Sequence, residues 1–442
     1  MTKLRTHRLS TLAPAHSREV SSPKRLSLPA VICIVSLFCA AAVTAAPAQS
    51  VLFKTLVNFN GIDGISPGPL IQASDGLFYG TTHNGGPSNN CFNGCGTVFK
   101  ISPTTKAGLP TTLHSFDSYD GGNPQGVVQA SDGNFYGTTS VGGEIYGGTV
   151  FRITSGGVFT IVYSFCSLFR CADGISPLAL IQGTDGNFYG TTSQGGANNG
   201  SYCTNGCGTV FKITARGTLT TLYTFCSQSN CTDGAFPSAA LVQGTDGSFY
   251  GVTSGGGSAQ CPGHGCGTVF KITSDGSLTT LYVFCPSSCV NGALPAAALV
   301  QGADGNFYGT TVAGGNEGVG SVFVITSGGS LTTLHSFGGP DGANPEAPLV
   351  QGTDGNFYGT TNDEGANGGG TVFKITSSGT LTTLFSFDGP DGSLPVAGLL
   401  QVADGNFYGT TAAGGNLQCD NGLGCGTVFR ITVVHACPSC RP

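Results

Sequence analysis

Thr184-Asp-Gly-Asn-Phe-Tyr-Gly-Thr-Thr192 is the stretch that decides how this chain folds, because variants of it recur seven times in 442 residues. Its core, Asp-Gly-x-Phe-Tyr-Gly followed by Thr or Val and then Thr, begins at Asp75, Asp132, Asp185, Asp246, Asp304, Asp354 and Asp404. Each copy leads through a Gly-rich stretch to a Thr-Val-Phe or Ser-Val-Phe run. Self-similarity at a period near 50 residues is the mark of units that stack or close into a ring, so architecture can be argued before any single side chain.

Around the third copy the unit divides into four short runs rich in β-branched and aromatic residues: Leu178–Gln182, Phe188–Thr192, Gly208–Thr214 and Leu219–Phe225. These are expected strands, named A to D. The Asp-Gly pair between A and B reads as a two-residue hairpin turn, and Ala-Arg-Gly or its equivalents turn the chain between C and D. Four antiparallel strands in about 50 residues make one propeller blade. Strands B and C do not alternate apolar with polar, as expected where neighbouring blades cover both faces. Phe188 and Tyr189 then face opposite neighbours, and Gly190 permits an approach that a Cβ would block.

A D-like strand, Phe53–Phe59, precedes the first complete unit, while the last unit stops after strand C at Phe429–Thr432. Segment 51–59 is therefore expected to supply the missing strand of the last blade. Closure of that kind removes the exposed edges at the ends of an array, and an open solenoid gains nothing from it. The predicted fold is all-β: a seven-bladed β-propeller of four-stranded antiparallel blades over residues 49–432, closed by the N-terminal strand.

Composition agrees. Charged residues are 9% of the chain, against about 25% in ordinary globular domains, and its 73 glycines sit at fixed places in the repeat, as turn residues do. Residues 1–48 differ: Lys3, Arg5, Arg8, Arg18, Lys24 and Arg25 precede an apolar run from Leu28 to Ala46, with a small-x-small site at Ala46-Pro47-Ala48. That is the pattern of a signal peptide, with an uncleaved anchor as the alternative. The whole chain carries 17 basic and 23 acidic residues, and losing this basic leader makes the remainder more acidic. An acidic surface argues against nucleic acid or anionic membrane as a partner. A secreted monomer is expected, extracellular, periplasmic or on the cell surface, with no membrane span after cleavage.

The unit, written through the chain as Leu-Val-Gln-Gly-Thr-Asp-Gly-Asn-Phe-Tyr-Gly-Thr-Thr, then Gly-Thr-Val-Phe-Lys-Ile-Thr, then Leu-Thr-Thr-Leu, resembles the bacterial GloVer-type (Gloeo/Verruco) tandem-repeat exported proteins over nearly all of residues 51 to 432. The resemblance implies export and a repeat fold, and carries no activity. Family members often end in a sorting anchor, whereas residues 433–442 here form a short Cys-containing tail without a hydrophobic run.

Beyond the leader, sixteen cysteines fall into close pairs: Cys91/Cys95, Cys166/Cys171, Cys203/Cys207, Cys226/Cys231, Cys261/Cys266, Cys285/Cys289, Cys419/Cys425 and Cys437/Cys440. Local pairs in an exported chain read as disulfides. Zinc and redox chemistry, the latter at Cys437-Pro-Ser-Cys440, are the competing readings. The two Asp-to-Asp steps of 50 residues contain no cysteine, and every longer step contains a pair, so cysteines arrive with loop insertions. All internal pairs fall in B–C or D–A loops, which share one face of an up-down blade. Function is sought on that variable face.

The D–A loops carry a second repeated signature, Asp or Asn followed by Gly-x-x-Pro, at Asp63, Asp120, Asp173, Asp233, Asn291, Asp341 and Asp391. By position these side chains could ring the channel mouth and collect Ca²⁺ or a polyhydroxyl ligand, or serve only as Asx-turns ahead of strand A. Glu144, Glu317, Glu346, Asp363 and Glu364 break the repeat on the same face, Asp363-Glu364 being the best local pair for glycoside chemistry. His264 lies between Cys261 and Cys266, and His114 and His335 take a strand D position filled elsewhere by Tyr or Phe. No nucleophile elbow, phosphate loop or zincin motif is present. The expectation is a binding scaffold for an extracellular polysaccharide or protein, without catalysis and without a required cofactor. The alternative is a glycoside-active hydrolase or lyase using carboxylates at the channel mouth.

Overall fold

The structure, a computed structural model, describes residues 50–103, 109–198, 203–257 and 265–434. The expected leader and most of the tail lie outside them. Seven antiparallel sheets each run A-B-C-D, and no α-helix occurs among the described residues. In the third blade strand A is split into Ile175–Pro177 and Ile181–Gln182, followed by B at Phe188–Gln194, C at Thr209–Ile213 and D at Leu219–Thr224. Strands B and C pair Phe188 with Ile213 and Thr192 with Thr209. The seventh blade repeats this register, with Phe407 on Ile431 and Thr411 on Thr427.

The ring is closed by the N-terminal strand. Ser50–Asn58 pairs antiparallel with Thr427–Val434 as strand D of the seventh blade. The pairing runs from Asn58 opposite Thr427 to Ser50 opposite Val434, two residues past the expected end at 432.

Two local expectations need correction. Strand A starts before its proline: Ile175 and Pro177 already pair with Gln194 and Thr192, and the ladder is interrupted before Ile181. A proline has no N–H for the ladder, so an irregularity beside it is the ordinary outcome. The A–B turn, read as a two-residue hairpin, is a three-residue loop. Gly186 N–H donates to Gly183 C=O, Gly183 N–H donates to Asn187 C=O, and of the loop residues only Gly186 has a positive φ, +81°. A type I turn closed by a left-handed glycine fits this pattern, whereas a two-residue type I′ turn needs φ above zero at both central residues.

The aromatic pairs hold blade to blade. Tyr189 stacks on Phe249 of the next blade with centroids 4.0 Å apart. The same Tyr-to-Phe contact is made at every interface, including the closing one between Phe78 and Tyr408. Each such pair adds about 0.5–1.5 kcal/mol beyond its buried area. A second set, overlooked in the sequence, joins the Phe after strand D to the strand C Phe of the following blade, as in Phe59–Phe99 and Phe387–Phe429, both at 5.2 Å. Gly190 lies under this layer: a Cβ there would stand 2.7 Å from Phe211 Cζ.

Polar links repeat as well. Thr192 and Thr209 share a buried hydroxyl contact of 2.9 Å. On the tight-turn face, Gln182 accepts from Ser131 N–H of the preceding blade's turn while donating to Gly186 C=O of its own.

Candidate functional site

The tight-turn face is occupied by its own structure. Asp185 Oδ1 accepts from Asn187 N–H, and Oδ2 accepts from Asn187 Nδ2, Tyr189 Oη and Lys212 Nζ. Burial works to raise this carboxyl but is outweighed by those donors, which hold it well below the usual carboxylate range. In all seven copies the motif Asp accepts from the phenol four residues on, from Tyr79 on Asp75 to Tyr408 on Asp404. The Asp-Gly-x-Phe-Tyr motif is thus both a turn and a clamp on the stacking tyrosine.

The D–A signature residues are likewise engaged at home. Asp173 is fully buried; its Oδ2 accepts from Tyr163 Oη, Ser167 N–H and Ser167 Oγ, and its Oδ1 from Leu168 N–H. Asp233 repeats this with Tyr223, Ser227 and Gln228. Asp120 and Asp341 take histidines in place of tyrosine, at 2.8 Å to His114 and 2.6 Å to His335, and Asn291 Nδ2 donates to Tyr282 Oη. The tyrosine and histidine partners all stand on strand D, the edge of each sheet farthest from strand A. The structure brings each acid to its own outer strand. Among the described residues, the only groups of three His, Cys, Asp or Glu whose ligand atoms lie within 4.8 Å of one another are cysteines.

Asp63 and Asp391 are the exceptions. Their strand D counterparts are Val57 and Phe385, which occupy the register position opposite Val428 and Val372 that Tyr223 holds opposite Val210. With no side-chain donor there, Asp63 Oδ2 is buried without a partner, and burial raises its pKa. Asp391 is pushed up to about 6 by burial, helped by the neighbouring charge of Asp388.

Disulfides join Cys91 to Cys95, Cys166 to Cys171, Cys203 to Cys207, Cys226 to Cys231, Cys285 to Cys289 and Cys419 to Cys425. Cys266 is also disulfide-bonded, while Cys261, Cys437 and Cys440 lie outside the described residues, as does His264. The sulfurs of Cys203, Cys207 and Cys226 cluster, as do those of Cys266, Cys285 and Cys289. As half-cystines they have no thiolate to offer a metal.

Among the repeat-breaking acids, Glu346 is raised by burial and by the charge of Asp363. His114 and His335 do more than pack: beside their Asp contacts, His114 stacks on Phe159 at 3.9 Å.

Exposed apolar side chains gather on the variable face: Ile62, Phe92, Tyr119, Tyr146, Phe169 and Leu423 all stand on its loops. In the first two blades such loops border a cleft of about 560 Å³ containing Phe92, Tyr119 and Tyr146 with Asn84, Asn90 and Asn123. Only its position on the variable face was legible in the sequence. The missed signal was Tyr146, which stands where loops of equal length in two other blades carry glycine.

Among solved structures, the fold is similar to a catalytically inactive virginiamycin B lyase from Staphylococcus aureus with quinupristin, at TM-score 0.57 and 16% identity over 87% of this chain and 100% of that one. It is also similar to extracellular domains of a one component system and a hybrid two component system from B. thetaiotaomicron. Their TM-scores are 0.53 and 0.51 at 10% and 12% identity, over 85% and 86% of this chain but only 39% and 40% of theirs. No curated protein matches the chain in sequence. The sequence model of the Gloeobacter/Verrucomicrobia repeat matches residues 42–203, 88–301 and 264–437, and the chain accordingly belongs to that repeat family.

Proposed function

We propose that this protein is an exported, non-catalytic scaffold that binds an extracellular polysaccharide or protein through its B–C and D–A loops. The observation that carries the reading is the contrast between the two faces. One is made of repeated turns whose polar groups satisfy one another, and the other carries stapled loops of unlike length with exposed aromatics. Binding sites favour variable loops on a rigid frame. Six disulfides between described residues and a basic-then-apolar leader fit an oxidising compartment. The D–A carboxylates and amide serve this face as loop anchors, and any Ca²⁺ would have to compete with their internal donors.

One observation favours a glycoside-active alternative: Glu346, protonated more readily than an ordinary carboxyl, beside Asp363. An acid and a carboxylate at one place are what glycoside cleavage uses. A screen of the purified protein against immobilised glycans, run alongside assays for released reducing ends and unsaturated products, separates the two. Retention without product supports the scaffold, and turnover abolished by Glu346→Gln supports the enzyme.

A further inference from the structure

We infer that the cleft between the first two blades is a subsite for a neutral, linear polysaccharide, a proposal that rests on the binding-scaffold reading above. Three large aromatic side chains stand out from its rim, Phe92 at 92% exposure, Tyr119 at 68% and Tyr146 at 65%. Solvated rings cost free energy unless something covers them, and isolated exposed aromatics of this size do not normally come three to a cleft.

The backbone beneath Tyr146 is held in a conformation that the other blades reserve for glycine. Tyr146 has φ +60°, and the equal-length loops of the fifth and sixth blades place Gly318 (φ +84°) and Gly368 (φ +79°) there. A left-handed tyrosine is strained where a glycine is not, and strain of this kind persists where the side chain has a use.

The platform is also stiffened in advance. Phe92 lies within the short loop closed by Cys91–Cys95. Asn90 Nδ2 donates to Asp117 C=O, tying that loop to the one bearing Tyr119. Asn123 Nδ2 lies 3.0 Å from His83 Nε2, and burial lowers the pKa of that imidazole, favouring the neutral form that accepts. Preorganised rings lose little freedom on binding.

The lining defines the ligand. Aromatic faces take the C–H side of a pyranose ring, and amides serve its hydroxyls, a mixture of apolar surface with a few polar groups. None of the lining side chains is charged, which selects against uronate or sulfated chains. Phe92, with Asn90 and Cys91, also lines a second cleft, likewise uncharged, of about 610 Å³. An occupant running past Phe92 from one to the other is extended, as a polymer is.

The test is affinity electrophoresis of the full secreted protein in gels containing mixed-linkage β-glucan, xylan or galactomannan, with polygalacturonate and alginate as acidic counterparts. Phe92→Ala and Tyr146→Gly are run beside the parent. Tyr146→Gly restores the residue that other blades use, so it should melt no lower than the parent, and lost binding cannot then be ascribed to misfolding. The expected result is retardation by at least one neutral polymer, weakened at least tenfold in both variants. Retardation that both variants retain would overturn the cleft assignment while leaving the scaffold reading intact, as would binding only to acidic polymers or to a protein. Depolymerisation of the gel polymer by the parent would overturn the scaffold reading itself.

Discussion

The ring of Phe78 in the first blade packs edge-on against that of Tyr408 in the seventh, centroids 4.7 Å apart and both side chains buried. Together with Ser66 N–H donating to Cys425 C=O and Phe59 against Phe99, this contact makes the closing interface equivalent to the six continuous ones. Tyr408→Ala should therefore cost about 3–5 kcal/mol, as for any large buried aromatic. Deleting residues 50–59 should cost more, since a whole strand edge is laid bare. Thermal unfolding checks both, and a melting temperature unchanged by the deletion would refute closure.

Stability should peak on the acid side of neutrality. The Asp391 carboxyl titrates near 6 in the folded protein and at about 3.9 in an unfolded chain, because burial and Asp388 raise it. Its contribution is full below the unfolded value and lost as pH rises through about 6. Asp132, Asp185, Asp246, Asp304, Asp354 and Asp404 are all lowered, so their contribution is present above about 4 and lost as pH falls below it. The raised Asp63 and Glu346 act with Asp391, while the lowered His83 acts against them by favouring higher pH; three groups against one leave the melting temperature highest between roughly pH 4 and 6, and a steady climb from pH 4 to 8 would speak against it.

Phe385→Tyr should supply the phenol that Asp391 lacks. Phe385 holds the register position of Tyr223, whose hydroxyl donates to Asp233 at 2.8 Å. The substitution should lower the Asp391 pKa and add about 1 kcal/mol at pH 7, with less gain at pH 4.5, where the carboxyl is already protonated. Carbon-detected NMR titration and urea unfolding at the two pH values would read these effects.

Two glycine substitutions should differ in size for different reasons. Gly190→Ala sets a methyl group 2.7 Å from Phe211 Cζ in a packed layer and should cost about 1–3 kcal/mol by overpacking. Gly186→Ala meets no atom within 4 Å, and its cost is that of a left-handed φ, roughly 1–2 kcal/mol. Chemical denaturation of the two proteins gives the comparison.

Reduction should loosen loops without unfolding the ring. Each bridge closes only four to six residues of sequence separation, so the entropic stabilisation is about 2 kcal/mol apiece at best. Unreduced secreted protein should give no thiol labelling. Dithiothreitol should speed proteolysis within the Cys91–Cys95 loop far more than it lowers the global melting temperature. Labelled thiols with stoichiometric zinc would instead assign the clustered cysteines to metal.

Blade number, strand order and closure were legible in the sequence because the Asp75-to-Asp404 copies act as a ruler and Phe53–Phe59 is visibly a strand D without a blade. Turn type was not, since Asp-Gly suits both a two-residue turn and the three-residue loop observed at Thr184–Gly186. The D–A acids looked like a ring because position was readable and side-chain direction was not; Asp173 turns to Tyr163, a partner ten residues upstream on strand D. The aromatic cleft escaped notice because Phe92, Tyr119 and Tyr146 are scattered in three loops, and only alignment of Tyr146 with Gly318 and Gly368 makes its presence odd.

The seventh blade is built from two segments far apart in sequence, Ser50–Asn58 beside Thr427–Val434. Synthesis delivers the first of these strands long before the second, so Ser50–Asn58 has no sheet to join until Thr427–Val434 has emerged. Six blades can assemble in order from local contacts, but the final one depends on a loop closure that spans the whole propeller, the kind of contact that slows folding most. A product lacking Thr427–Val434 would leave two open edges, which makes that strand a checkpoint on the integrity of the whole ring.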